Sequence, residues 1–141
     1  MDLAANIEGN RVDIPLDDFP IEAPFWDIGI KSVFHLSAAI RRAGTIILNG
    51  PSGVFENPDF ALGTIEILNA CAESDGYAVM GGGHTATLVA QRGLANKMGH
   101  VSTGGGACLD YIAGRPLPAV VSLEQSAVAF GIDITSAERK V

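Results

Sequence analysis

The stretch YAVMGGGHTATLVAQRG, residues 77–93, decides the fold of this chain. Its first four residues, Tyr77–Met80, are mostly apolar, and three glycines then lead into a helical pattern that begins near Thr85 and ends at Gly93. Short apolar segments of this kind are typical of buried parallel strands. A turn that leads from such a strand into a helix presents backbone N–H groups to an anion. The stretch therefore predicts one strand–turn–helix unit of a parallel α/β protein, with a phosphate site in its turn.

Two more turns have a similar composition and the same place in the pattern. Asn49–Gly53 follows an apolar segment at Thr45–Leu48, and Ser102–Ala107 follows another at His100–Ser102. In an open parallel sheet, the carboxyl ends of the strands form the crevice in which ligands bind. Each glycine costs about 0.5–1 kcal/mol relative to alanine in ordered backbone. Two runs of three glycines at one sheet edge therefore indicate a phosphate site rather than ordinary turns.

The remaining patterns alternate between strand and helix, which indicates βαβ units. We expect one parallel sheet with four strands: Arg11–Ile14, Thr45–Leu48, Tyr77–Met80 and His100–Ser102. Five helices are expected. They begin at an N-cap at Asp27, at an N-cap at Asn57 followed by Pro58, near Thr85, near Gly106 or Ala107, and at a capping box formed by Ser122 and Gln125. Nothing obvious covers the two edges of this sheet, which suggests part of a larger domain. Residues 131–141 are expected to form a loose tail.

Composition excludes several classes of protein. Apolar residues form 48% and charged residues 18% of the 141 residues, as expected for one folded domain. No apolar run approaches the roughly 18 residues that span a bilayer, and the first residues lack a signal-peptide pattern. The net charge of −7 argues against a nucleic-acid groove. We therefore expect a soluble, cytoplasmic protein that binds neither nucleic acid nor membranes, with Cys71 and Cys108 as free core residues.

Two common nucleotide motifs do not explain the turns. A P-loop requires Gly-x4-Gly-Lys-Ser/Thr, which the chain does not contain. Gly81, Gly83 and Ala86 satisfy the dinucleotide fingerprint, which expects an acidic residue about 20 positions later to bind a ribose hydroxyl. No Asp or Glu occurs between Ala86 and Leu109. The dehydrogenase interpretation therefore fails.

Taken in order, the three turns resemble the signatures of the phosphoglycerate kinase family. NGPSGVFE at residues 49–56 is similar to the family's Asn-Gly-Pro-x-Gly-Val-Phe-Glu, and GGGHT at 81–85 to its Gly-Gly-Gly-Asp-Thr/Ser. STGGGA at 102–107, followed by GRPLP at 114–118, is similar to the last signature. The resemblance runs from about Val12 to Ala127. It implies an α/β, Rossmann-like three-layer αβα fold with a parallel sheet, of which residues 1–141 would form about the second half of the nucleotide-binding domain.

The resemblance also implies a reaction and its site residues. The family transfers a phosphoryl group reversibly between 1,3-bisphosphoglycerate and ADP, giving 3-phosphoglycerate and ATP, with Mg²⁺ on the nucleotide. The residues implied at the nucleotide are Asn49, Gly50, Pro51, Glu56, Gly82, Gly83, His84 and Thr85. Among them, Glu56 would bind the ribose hydroxyls, and residues 82–85 would lie at the phosphates. Gly105 and Gly106 would act catalytically, by presenting N–H groups to the phosphoryl group in transit.

Two departures from the family pattern limit what this chain is expected to do. His84 stands where the family has a magnesium-binding Asp, and a neutral imidazole is a poor ligand for Mg²⁺. We therefore assign no metal ligand, and a purely local contact of His84 at the helix start stays open. The family's catalytic Arg and Lys, and its phosphoglycerate domain, have no counterpart here. The isolated chain is expected to be inactive, as a fragment, a non-catalytic nucleotide-binding module or half of a split enzyme.

Overall fold

The computed structural model describes residues 1–134, and the chain divides into two compact units, residues 1–105 and residues from 106 onward. The strands of the described chain are β1 (Asp2–Ile7), β2 (Asn10–Pro15), β3 (Phe25–Ile28), β4 (Thr45–Asn49), β5 (Tyr77–Gly81) and β6 (His100–Ser102). Its helices are α1 (Ile30–Ile40), α2 (Leu62–Glu73), α3 (Gly83–Gln91), α4 (Gly106–Ile112) and α5 (Pro118–Ala129). Most of the tail expected at residues 131–141 lies outside the described residues.

The first unit contains the predicted parallel sheet, in the order β4-β5-β6. Its register pairs Leu48 with Met80, and Met80 with Val101. Because strand side chains alternate between faces, these residues share one face with Ile46 and Ala78. The α/β class and the three later strands of the prediction are confirmed. Among residues 1–134, no helix has both the length and the apolar character of a membrane span.

That face of the sheet forms the core with α2 and α3. Met80, Leu68, Cys71 and Val89 are completely buried within it. Burying a side chain of this size contributes about 1.5–3 kcal/mol, so this cluster holds the strand ends in place. Burial also raises the pKa of the Cys71 thiol to about 11, so that it stays protonated and inert. The expected core role of Cys71 is confirmed.

The prediction of a fourth parallel strand is wrong. Residues 11–14 lie in β2, which pairs antiparallel with β1, and β1 pairs antiparallel with β3 on its other side. Glu8 and Gly9, both with positive φ, form the two-residue turn that such a hairpin requires. The strands β1 and β3 were not predicted. Their sequences, DLAANI and FWDI, carry polar residues at positions that only the folded chain buries, such as Asp2 and Asp27.

Three expected helix caps are also different in the structure. Asp27 lies inside β3, and Gly29 is the N-cap of α1. Asn57 caps the short 3-10 turn Pro58–Phe60, and α2 begins later, at Leu62. Pro118 occupies the first position of α5, so Ser122 lies within that helix rather than at its cap. Proline begins a helix because its fixed φ suits the first turn and its missing N–H is not needed there.

The second unit consists of α4 and α5 within the described residues. The helix α4 begins at Gly106, as predicted. Gly114, with φ of +70°, ends the segment, and its N–H donates to the Tyr111 carbonyl at 3.0 Å. Glycine is favoured at such a position because a Cβ is disfavoured at positive φ. Thus the expected stop at Gly114 is confirmed.

Candidate nucleotide-phosphate site

The three glycine-rich turns begin side by side at the carboxyl edge of the parallel sheet. The register pairs Asn49 with Gly81, and Gly81 with Ser102, so each turn leaves the sheet at the same level. Tight strand pairing therefore aligns three segments that are far apart in sequence. The juxtaposition predicted from the pattern is what the structure of the first unit shows, up to Gly105.

Asn49 explains why a glycine occurs opposite it, at residue 81. Its side-chain Oδ1 lies so close to the Gly81 backbone that a Cβ at residue 81 would come within 2.7 Å of it. Cβ atoms at Gly82 and Gly105 would lie 3.4 and 3.7 Å from the same oxygen. Contacts under 3.0 Å require atoms to move, so alanine fits poorly at residue 81. The amide of Asn49 thus lies where all three turns meet.

A second contact joins the first turn to the start of α3. The N–H of Gly50 donates to the Gly81 carbonyl at 3.3 Å and to Thr85 Oγ1 at 3.1 Å. Gly50 has φ of +92°, and Thr85 is buried. The Thr85 hydroxyl therefore accepts a bond within the protein, while its own hydrogen stays free to donate. This bond fixes the first two turns against each other.

The amino end of α3 is open to solvent. Gly82 precedes the helix with φ of +98° and ψ of 142°, and the Ala86 N–H donates to its carbonyl at 2.9 Å. The N–H groups of residues 83–85 precede this first intrahelical bond and are therefore available to a ligand. Gly83 and His84 are exposed. Such an end attracts anions, because unpaired N–H groups and the helix dipole both favour negative charge.

The rest of the first turn extends toward α3 and α2. The Phe55 and His84 rings lie 5.9 Å apart between centroids, tilted by 56°. Thr64 of α2 accepts hydrogen bonds from the N–H groups of Ser52 and Gly53 at 3.0 and 3.3 Å. Thr64 was not predicted from the sequence, because no local pattern distinguishes a buried helical threonine that holds a distant loop. Glu56 and Asn49 are exposed, and Pro51 is partly buried.

The third turn is described only up to the boundary between the two units. The Gly104 N–H donates to Ser102 Oγ at 3.2 Å, which closes a local turn after β6. Gly105 is the last residue of the first unit, and Gly106 begins α4 in the second. A Cβ at Gly106 would meet nothing within 4 Å. The backbone at Gly106 is therefore open, as a ligand-facing glycine must be.

The donors of these turns suit a nucleotide phosphate better than a directly bound metal. Neither GGGHT at 81–85 nor STGGGA at 102–107 contains a carboxylate. Within residues 1–134, no group of three or more His, Cys, Asp or Glu side chains is arranged to hold a metal ion. Backbone N–H groups bind phosphate oxygens, whereas Mg²⁺ prefers oxygen ligands.

The fold defines this chain as a Rossmann-like α/β protein with glycine-rich turns at the carboxyl edge of its parallel sheet. Residues 1–115 match the family model described as phosphoglycerate kinase. The chain therefore belongs to the phosphoglycerate kinase family, and the resemblance read from its three turns is confirmed.

Relatives and solved structures agree with this assignment. The phosphoglycerate kinase of Methanothermus fervidus is 44% identical over 126 residues, which cover 89% of this chain and 30% of that protein. The corresponding protein of Methanocorpusculum labreanum is 43% identical over 129 residues, 92% of this chain and 32% of that protein. The crystal structure of the Pyrococcus horikoshii enzyme superposes with a TM-score of 0.74 at 36% identity, over 87% of this chain and 31% of that one. The Coxiella burnetii structure gives 0.73 at 32% identity, over 84% of this chain and 32% of that one. This chain thus spans 30–32% of the length of these proteins.

Proposed function

We propose that this chain supplies the ADP/ATP site of a phosphoglycerate kinase. In the complete enzyme, a phosphoryl group passes reversibly between 1,3-bisphosphoglycerate and ADP, giving 3-phosphoglycerate and ATP in the cytoplasm. The observation that carries the proposal is the alignment of three glycine-rich turns beside the open amino end of α3. This arrangement provides backbone donors, at fixed positions, for the phosphates of one nucleotide.

Each group in the site has a role that follows from its chemistry. The N–H groups of residues 83–85 would hold the nucleotide phosphates, and Gly82 allows the phosphates to approach the backbone closely. The Asn49 side-chain oxygen packs against Gly81, where the turns meet. The exposed Glu56 carboxylate would accept hydrogen bonds from the ribose hydroxyls, and Gly50 and Pro51 would shape the nucleoside side of the pocket.

The reaction requires little covalent chemistry from the protein. Phosphoryl transfer passes through a loose transition state with charge on three equatorial oxygens, so fixed donors stabilise it electrostatically. Gly105 and Gly106 would direct their N–H groups at the phosphoryl group in transit. Magnesium, when bound with the nucleotide, neutralises phosphate charge; in this chain it would be held by phosphate oxygens and water, since His84 offers only nitrogen.

The three glycine-rich turns themselves contain no lysine or arginine. None of the chain's three lysines (Lys31, Lys97 and Lys140) lies in a glycine-rich turn, and the net charge of the chain is −7. We therefore propose that the phosphoglycerate-binding domain and the catalytic basic residues belong to the part of the enzyme that this chain does not span. The isolated chain should bind nucleotide and form no ATP from 1,3-bisphosphoglycerate and ADP.

Calorimetric titration of the folded chain with Mg-ADP tests this proposal. We expect a dissociation constant below about 1 mM, with no heat of binding from 3-phosphoglycerate. Glu56→Gln should weaken Mg-ADP binding roughly tenfold, because a hydrogen bond to a charged group contributes about 1.5–3 kcal/mol. Glu22→Gln, at an exposed loop position, is the matched control. Binding weaker than millimolar by a folded sample would contradict the proposed site, and ATP formation by the isolated chain would contradict its dependence on a further domain.

A further inference from the structure

A partly buried ion pair packs against the first glycine-rich turn. The Asp27 side chain in β3 is completely shielded from solvent, and Arg11 Nη1 donates to its Oδ2 at 2.9 Å. Arg11 also donates to the Ile28 carbonyl at 2.9 Å and to the Asp59 carbonyl at 3.0 Å. A buried charge is tolerated only when it is paired and hydrogen-bonded. The Arg11–Asp27 pair meets both conditions, so it fixes the position of its carboxylate closely.

Two glycines pack against that carboxylate. A Cβ at Gly53 would come within 2.5 Å of Asp27 Oδ1 and 2.6 Å of the Trp26 carbonyl oxygen. A Cβ at Gly63 would collide with the same carboxylate oxygen, and the Gly63 N–H donates to Asp27 Oδ2 at 2.8 Å. The carboxylate thus lies between the first turn and the beginning of α2, in contact with the backbone of both.

The residues next to Asp27 and Gly63 also form hydrogen bonds with the first turn. The Val54 N–H donates to the carbonyl of Trp26 at 2.8 Å, next to Asp27 in β3. Thr64, next to Gly63 in α2, accepts from the N–H groups of Ser52 and Gly53. The first turn is therefore held from two directions, by the residue before Asp27 in β3 and by the residue after Gly63 in α2.

We propose that Arg11 and Asp27 are positioning residues for the segment Asn49–Glu56, the nucleotide loop. The pair would fix the distance of this loop from β3 and α2, and so position Glu56 and Asn49 for the nucleotide. Arg11 and Asp27 would not touch the nucleotide themselves. Hydrogen bonds from Arg11, Ile28 and Gly63 hold the Asp27 carboxylate in one place, so the Gly53 backbone packs against a fixed surface. The effect on nucleotide affinity rests on the proposed function, while the effect on the loop can be measured without nucleotide.

The test compares two kinds of variant with matched controls in the 141-residue chain. Asp27→Asn removes the buried charge that pairs with Arg11 and leaves the Arg11–Asp13 pair at 3.1 Å in place. Its control is Glu73→Gln, which breaks the exposed Arg41–Glu73 pair at 2.7 Å. Gly53→Ala forces the loop away from Asp27 while the Arg11–Asp27 ion pair stays intact. Its control is Gly44→Ala, where a Cβ would meet nothing within 4 Å. Circular dichroism and thermal unfolding establish that each variant is folded.

Amide hydrogen exchange in the nucleotide-free chain is the first readout. We expect the Val54 amide to exchange at least tenfold faster in Asp27→Asn and Gly53→Ala than in the parent chain, with amides of β5 unchanged. In both controls the Val54 amide should keep its rate within twofold. Unchanged Val54 exchange in folded Asp27→Asn and Gly53→Ala overturns the positioning role. Should Asp27→Asn not fold, Gly53→Ala decides the matter alone.

Mg-ADP affinity is the second readout. Asp27→Asn and Gly53→Ala should each raise the dissociation constant at least tenfold, and the controls less than twofold. Equal affinity in all five proteins, despite faster Val54 exchange, overturns the link from loop position to binding. If the parent chain itself binds no Mg-ADP, the proposed function fails, and the exchange rates still decide whether Arg11 and Asp27 position the loop.

Discussion

Gly82 shows how one backbone conformation governs the phosphate side of the site. Its φ of +98° and ψ of 142° are open to glycine and strained for any residue with a Cβ. The neighbouring Gly83 lies in α3, and a Cβ there would meet nothing within 4 Å. Two adjacent glycines therefore have different reasons to be present: Gly82 for its conformation, and Gly83 at most for access to a ligand.

This difference predicts opposite outcomes for two matched substitutions. Gly82→Ala should lower the free energy of unfolding by about 1–3 kcal/mol, because it forces a side chain into a glycine-only region. Gly83→Ala should leave the free energy unchanged or raise it by up to about 1 kcal/mol, as expected for alanine in a helix. Urea unfolding of both variants measures the difference. Equal effects would show that the conformation of Gly82 imposes no constraint.

At the scale of elements, the first turn of helix α1 depends on a carboxylate from strand β1. Asp2 in β1 is buried, and its side chain accepts hydrogen bonds from the N–H groups of Ser32 at 2.8 Å and Lys31 at 3.2 Å. Burial alone raises the pKa of Asp2, but these hydrogen bonds and that of the Ser32 hydroxyl outweigh it, and the pKa is lowered from 3.8. A carboxylate favoured in the folded state stabilises that state while it is ionised.

The stabilisation by Asp2 should therefore depend on pH in one direction. It should be fully present above about pH 4 and should be lost as the pH falls through the lower pKa of the folded state. At pH 7 we expect the free energy of unfolding of Asp2→Asn to be about 1 kcal/mol lower than that of the parent chain, because hydrogen bonds to a charged carboxylate are stronger than those to a neutral amide. That difference should shrink below pH 4. Asp17→Asn, at an exposed position, is the control, and a difference that stays constant down to pH 2 would contradict the role of the Asp2 carboxylate.

At the scale of the whole molecule, ligand binding and stability are linked. A ligand that binds only the folded chain stabilises it by about 2.7 kcal/mol at one hundred times its dissociation constant. Mg-ADP at that ratio should therefore raise the melting temperature of the chain by roughly 5–11 °C. An equal concentration of 3-phosphoglycerate should leave it unchanged. A rise with 3-phosphoglycerate alone would place a phosphoglycerate site on this chain and contradict the proposed division of the enzyme.

The sequence by itself determined the parallel strands β4, β5 and β6, their glycine-rich turns and the family. These features are local: apolar runs, glycine clusters and signatures such as NGPSGVFE are complete within a few residues. The tertiary structure decided which partners those residues have. The pairing of β1 with β3, the capping of α1 by Asp2, and the packing of Gly53 against Asp27 join positions far apart in the chain. No local pattern specifies such pairings, because a buried carboxylate is stable only where distant donors meet it.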